Sequence, residues 1–154
     1  MLDVSRLNDH SRVFAQRLFR EFPDWIRHAR FDPYEEFERE ALLVEVPRPA
    51  ADGQHGLFIT TSEWEVSVGF GENFHTRFGV SGNDESNDFH DRAIAFIRDF
   101  VEERLVLLTA YQEGEWLGAW TERLTDDGIP EQDLESGVQL RIRSWKGTWD
   151  REFV

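Results

Sequence analysis

The 154 residues are 40% hydrophobic and 14% aromatic, enough for one folded domain with a real core, which excludes a disordered chain. They carry 31 acidic against 17 basic side chains, a formal net charge of −14, and such a surface repels phosphate and argues against nucleic-acid binding along its backbone. Cysteine is absent, which excludes disulfides and thiolate metal sites; Asp3, Arg6, Asp9, Arg12 and Arg17 break up the first 18 residues, so neither a secretion signal nor a membrane span is expected and the cytoplasm is the expected location.

In chain order, Leu7, Phe14, Leu18 and Phe22 recur at helical spacing and predict a helix over about 5–22, stopped by Pro23. Residues 24–40 show no clear period. Ala41–Val46 and Leu57–Thr61 read as strands. Trp64, Val66, Val68 and Phe70 alternate with Glu65, Ser67 and Gly69, which predicts a half-buried strand with all four apolar residues inward. Phe74, Thr76 and Phe78 alternate with His75 and Arg77 and form its hairpin partner. Ile94, Ile97, Val101 and Leu105 form the stripe of a second helix, with Asn87 or Asp88 as its cap. Strands then follow over 105–111, over 116–120 with Trp116, Gly118 and Trp120 on one side, and over 138–145. An acidic loop over 122–137 separates the last two, and Lys146-Gly147 turns into a short closing strand. Hairpin-linked alternating strands with two helices predict an α+β fold: one domain over 1–154, mostly an antiparallel sheet of hairpins, with two helices packed on one face.

The charge is uneven. Residues 31–138 hold 25 acids against seven Arg, a net −18, whereas 1–30 and 139–154 are each +2. A negative field of this kind favours a basic protein partner if it is gathered on one surface.

No reaction motif accompanies it. The five histidines show no i,i+4 pairing and no H-E-x-x-H pattern. Asp84, Ser86 and Asp88 have the spacing of calcium ligands, but Phe89 stands where the turn glycine is required and Ala95 where the closing Glu is required. The neighbouring carboxylates Glu35-Glu36, Glu102-Glu103 and Asp126-Asp127 read as solvated charges, because adjacent helix residues point apart. No catalytic residue, metal ligand or cofactor is therefore assigned. The candidate partner-binding residues fall in three groups. Glu65, His75 and Arg77 share the outer face of the first hairpin, where Glu65 can meet either of the other two across the strands. Trp116, Trp120 and Trp145 are interface-type aromatics in the C-terminal strands. Asp126, Asp127, Glu131 and Asp133 are the acids of the long loop.

The hairpin 61–68 with 74–79, the helix 93–105, the segment Gly114-Glu115-Trp116-Leu117-Gly118 and the closing Arg143-Ser144-Trp145-Lys146-Gly147 together resemble the layout of small acidic immunity proteins of bacterial polymorphic-toxin systems. The resemblance implies a cytoplasmic protein that binds one toxin domain, often a basic nuclease, and blocks it. Two alternatives stay open: a small hydrolase using carboxylates with His75 or His90, and a structural subunit that self-associates through a sheet edge.

Overall fold

The computed structural model describes residues 1–33, 41–50, 56–71, 73–79 and 89–154. The fold is α+β, and the described residues form two α-helices, α1 (Asp9–Glu21) and α2 (Phe89–Val101), and two antiparallel sheets where a single sheet was expected. The first sheet is a meander of β1 (Ala29–Phe31), β2 (Leu42–Val46), β3 (Leu57–Thr61), β4 (Glu65–Phe70) and β5 (Phe74–Gly79) in sequential order. The second is β6 (Leu105–Gln112) flanked by β7 (Glu115–Arg123) and β8 (Val138–Arg143). The chain packs as two compact units, Met1–Pro47 with Gln54–Phe96, and Arg48–Gly53 with Ile97–Val154. Among the described residues no helix is long and apolar enough to cross a membrane.

In the first unit, period-two alternation sends Val44, Ile59 and Val68 to one side in a single cross-strand row, and each is fully buried. α1 and the first half of α2 cover that side. Ser11 of α1 meets the hydroxyl of Thr61, and Phe96 of α2 lies 6.4 Å from Phe74 and 5.7 Å from Phe78. Phe14 and Leu18 fill the gap between helix and sheet and are fully buried. Each such side chain contributes roughly 1.5–3 kcal/mol on leaving water.

Local hydrogen bonding moves three boundaries away from the sequence pattern. α1 starts later than expected because Asn8 caps it, its side chain accepting from the N–H of Ser11 at 2.8 Å. Pro23 opens a 3-10 turn over Pro23–His28, taking a first-turn position where it needs no N–H donor. Trp64, expected inside, is 70% exposed. The Ser62 hydroxyl accepts from the N–H groups of Trp64 and Glu65, so the chain is still turning at Trp64 and alternation begins only at Glu65. The expected cap at Asn87 or Asp88, the calcium-like spacing at 84–88 and the pair Glu35-Glu36 lie outside the described residues.

In the second unit, Val106, Leu108, Ala110, Leu140 and Ile142 form a buried cluster on one side of the three-stranded sheet, and Leu105, Leu107 and Thr109 on the other side of β6 are buried as well. Trp120, Leu124, Ile129, Leu134, Val138 and Trp149 pack onto it. α2 ends with Glu103 in the left-handed region (φ 57°), its N–H donating to Phe100 O and that of Arg104 to Asp99 O. A glycine is usual at such a position, and Glu103 uses its side chain instead. Its carboxylate accepts from the N–H of Lys146 at 2.7 Å and of Thr148 at 3.4 Å, which fastens the 144–150 turn. Arg48, buried, pairs with Asp150 on the same turn.

Candidate functional site

Exposed apolar and acidic side chains come together at the tip of the β6–β7 hairpin. Glu113 (φ 52°) and Gly114 (φ 84°) both take left-handed angles, the requirement of the two-residue turn that matches strand twist. Beyond the turn Tyr111 pairs with Trp116, but Ala110 pairs with Gly118, so Leu117 is an extra residue on β7. That bulge shifts the phase of the strand. Trp120 pairs with Leu108 and packs on the buried side, whereas Trp116 shares the opposite side with Tyr111. The expectation that Trp116, Gly118 and Trp120 share one side is thus corrected: the side-chain period is two, and one extra residue inverts it. Trp116 is 49% and Leu117 52% exposed. Beside them Gln112, Glu113, Glu115 and Leu117 line a hollow of about 350 Å³.

Behind Trp116 the same side carries an aromatic and guanidinium cluster. Tyr111 meets Phe153 edge-on at 5.8 Å, and the Arg141 guanidinium stands 5.1 Å from the Tyr111 ring and 5.2 Å from that of Phe153. Glu152 accepts from Arg141 Nε at 3.0 Å and also pairs with Arg143. The bonds from Arg143 and then from Arg141 outweigh the slight burial of Glu152 and hold its carboxyl below the usual range.

The loop from Leu124 to Gly137 has to cross the buried side of this sheet, because β7 ends opposite Leu105 while β8 begins opposite Gln112. Leu124, Ile129 and Leu134 turn inward and anchor it. Asp126, Asp127, Glu131, Asp133 and Glu135 are left pointing outward and exposed. Asp126 and Asp127 occupy a tight turn closed by two bonds of 2.9 Å between Thr125 and Gly128. At its far end the loop reaches the hairpin tip, where Gln112 Nε2 donates to Ser136 O at 3.5 Å. The Ser136 end of the loop therefore adjoins the hairpin tip, whereas Asp126 and Asp127, just beyond the end of β7, lie at the other end of the sheet.

The remaining expected residues lie elsewhere. Trp145 is 5% exposed and meets Phe100 edge-on at 6.3 Å, so it is a core residue of the second unit. On the first sheet Glu65 stands opposite Gly79 and His75 opposite Gly69. Arg77, on the diagonal, approaches Glu65 at 3.7 Å, and His75 makes no pair with it. An exposed pair of this kind is worth at most about 1 kcal/mol.

The structure also joins two histidines that no local pattern connects. His90, 6% exposed, and His10 place their Nε2 atoms 2.8 Å apart in the first unit, with His10 stacked on Phe89 at 5.1 Å. Burial first, then the neighbouring His10 and Arg17, push His90 down to about 4 against the pull of Asp91. Burial also lowers His10, with the Ser62 backbone acting in the opposite sense. Two histidines at different helix starts, eighty residues apart, leave no signal in a one-dimensional pattern. Among the described residues no three His, Asp or Glu side chains converge as metal ligands. No protein-family model, curated protein or solved structure matches this chain.

Proposed function

We propose that this chain is an acidic binding protein of the immunity or inhibitor type, which neutralises a basic protein partner by docking the β6–β7 tip and the 124–137 loop against it. The observation that carries this reading is a hairpin tip on which half-exposed Trp116 and Leu117 stand next to exposed Glu113 and Glu115, in the same unit as a loop whose apolar residues point in and whose acids point out. An aromatic anchor flanked by charge opposite in sign to the partner's is an arrangement that speeds encounter and then holds it. Action in the cytoplasm and a bacterial toxin or nuclease as partner belong to the same proposal, supported by the absence of cysteine and by the net charge of −14. The hydrolase alternative is less well supported, since the Nε2 of His90 is engaged by His10 and His75 has no carboxylate opposite it.

The test is binding kinetics against candidate basic nuclease domains. Reversing Asp126, Asp127, Glu131 and Asp133 together should slow association at low salt by at least about tenfold, and Trp116→Ala should speed dissociation. Association rates equal to the parent protein's at low salt would remove the loop from the interface.

A further inference from the structure

We propose that β7 binds its partner by strand addition, taking an extended basic segment along its open edge; this rests on the acidic-binder reading above and specifies its geometry. The inference starts from the opposite edge of the same sheet. Ile142 exchanges two hydrogen bonds with Arg151, at 2.9 and 3.0 Å, and Leu140 exchanges two with Val154, at 3.3 and 2.8 Å. The outer edge of β8 is therefore occupied by the chain itself. These bonds also fix the phase of the whole sheet. If Leu140 and Ile142 turn their backbone groups outward, then Gln139, Arg141 and Arg143 turn theirs toward Tyr111, Thr109 and Leu107 of β6. Those three β6 residues face away from β7, and so their β7 neighbours Trp116, Ala119 and Thr121 present N–H and C=O groups to the outside. Among the described residues nothing bonds the outer groups of Ala119 or Thr121.

An unpaired edge on a strand of nine residues is a ready template for another strand. The occupant is chosen by charge. Between residues 113 and 135 there are eight acids against Arg123 alone. A second copy of this chain paired along β7 would set that field against itself, whereas a strand carrying Lys or Arg on alternate residues would meet Glu122 and Glu115 along its length. β5, the outer strand of the first sheet, carries Arg77 and His75 and no carboxylate within the strand itself, so it suits a basic strand less. Strand addition supplies affinity through the backbone and selectivity through alternate side chains, which suits a partner segment held extended.

The experiment uses the full chain, with an alternating Lys–Val peptide of the length of β7 as probe and an alternating Glu–Val peptide as control. Amide exchange and backbone chemical shifts are followed by NMR, together with affinities for the parent protein and for Thr121→Pro. Proline at position 121 removes one outward N–H and no bond to β6, so the fold is expected to survive, and the exchange data on the unaltered protein decide the matter even if it does not. The expected result is slowed exchange at Ala119 and Thr121 with the basic peptide only, and an affinity reduced by at least about tenfold in Thr121→Pro. Salt-sensitive peptide binding that leaves those amides unprotected and is unaltered by Thr121→Pro overturns the β7 proposal while the acidic surface stands. Failure of the basic peptide to bind at low salt overturns both. Slowed exchange at these amides in the free protein, with a mass twice that of the chain, overturns it in favour of self-pairing.

Discussion

His10 and His90 each occupy the second position of a helix, and their Nε2 atoms meet at 2.8 Å. One ring has to donate and the other accept, so the contact holds one proton and leaves no room for a second. Helix starts carry partial positive charge, which further disfavours imidazolium there. Burial then lowers both groups below the ordinary imidazole value, which favours the neutral form of each at neutral pH.

Acid should therefore loosen the first unit through these two residues. Both folded-state values lie below the ordinary 6.5, with His90 at about 4. As pH falls below about 6.5 the unfolded chain takes up protons that the folded chain refuses, and stability drops until the folded pair titrates. The loss should reach on the order of 2 kcal/mol by pH 4. Urea titrations at pH 7 and pH 4.5 should show it, and His90→Gln should flatten the difference. An equal acid loss in His90→Gln would assign it to other groups.

Glu103 gives a dependence that disappears in acid. Burial raises its carboxyl, but bonds from Thr148, Ser144 and the Lys146 N–H outweigh that and lower it. A lowered carboxyl contributes stability above its unfolded value near 4.5, and that contribution is lost as pH falls through the folded value. Glu103→Ala should cost about 1–2 kcal/mol at pH 7 and progressively less as pH falls through the folded value. Glu103→Gly should be milder by about 0.5–1 kcal/mol, because glycine accepts φ 57° without strain. Equal costs for the two variants would mean that the left-handed backbone is not under tension.

Gly56 marks a close approach of backbone to backbone. A Cβ built there would overlap the carbonyl oxygen of Val46, with no flexible side chain to yield. Gly56→Ala should destabilise the first unit by about 3 kcal/mol or more, or force the β2–β3 ends apart. Thermal unfolding of the variant within about 1 °C of the parent would contradict the spacing.

The two tryptophans of β7 should behave oppositely. Trp120→Ala removes a large side chain packed on the Val106–Leu108–Ala110 side and should cost about 2–4 kcal/mol. Trp116→Ala, at a half-exposed position, should change stability by no more than about 0.5 kcal/mol while weakening partner binding. Equal stability losses would show that the ladder has no phase shift between them.

Most of the secondary structure was legible because burial imposes a period. Val66, Val68 and Phe70 on β4, Phe74 and Phe78 on β5, and Ile94 and Ile97 on α2 all point where alternation or the helical stripe places them. What escaped was decided by single hydrogen bonds or by distance along the chain. The Ser62 turn put Trp64 in solvent, and β1, at three residues, is too short to show a pattern. The bulge at Leu117 had one signal, the isolated Gly118 inside a strand, which marks such irregularities. Within the acidic loop, Leu124, Ile129 and Leu134 recur every five residues, a spacing that belongs to neither helix nor strand but does reveal a segment pinned at intervals. The histidine contact, eighty residues apart, had no local trace.

Leu117 is supernumerary in the β6–β7 ladder, since the register on both sides of it would close without it. A chain lacking Leu117 would keep Trp116 and Trp120 on their present sides and gain a smoother, flatter rim. Smooth rims invite copies to polymerise, and one surplus residue that crooks the strand is a cheap guard against fibre growth. Leu117 thus interrupts the regular ladder near the start of β7, where an unbroken edge would pair most readily with another copy.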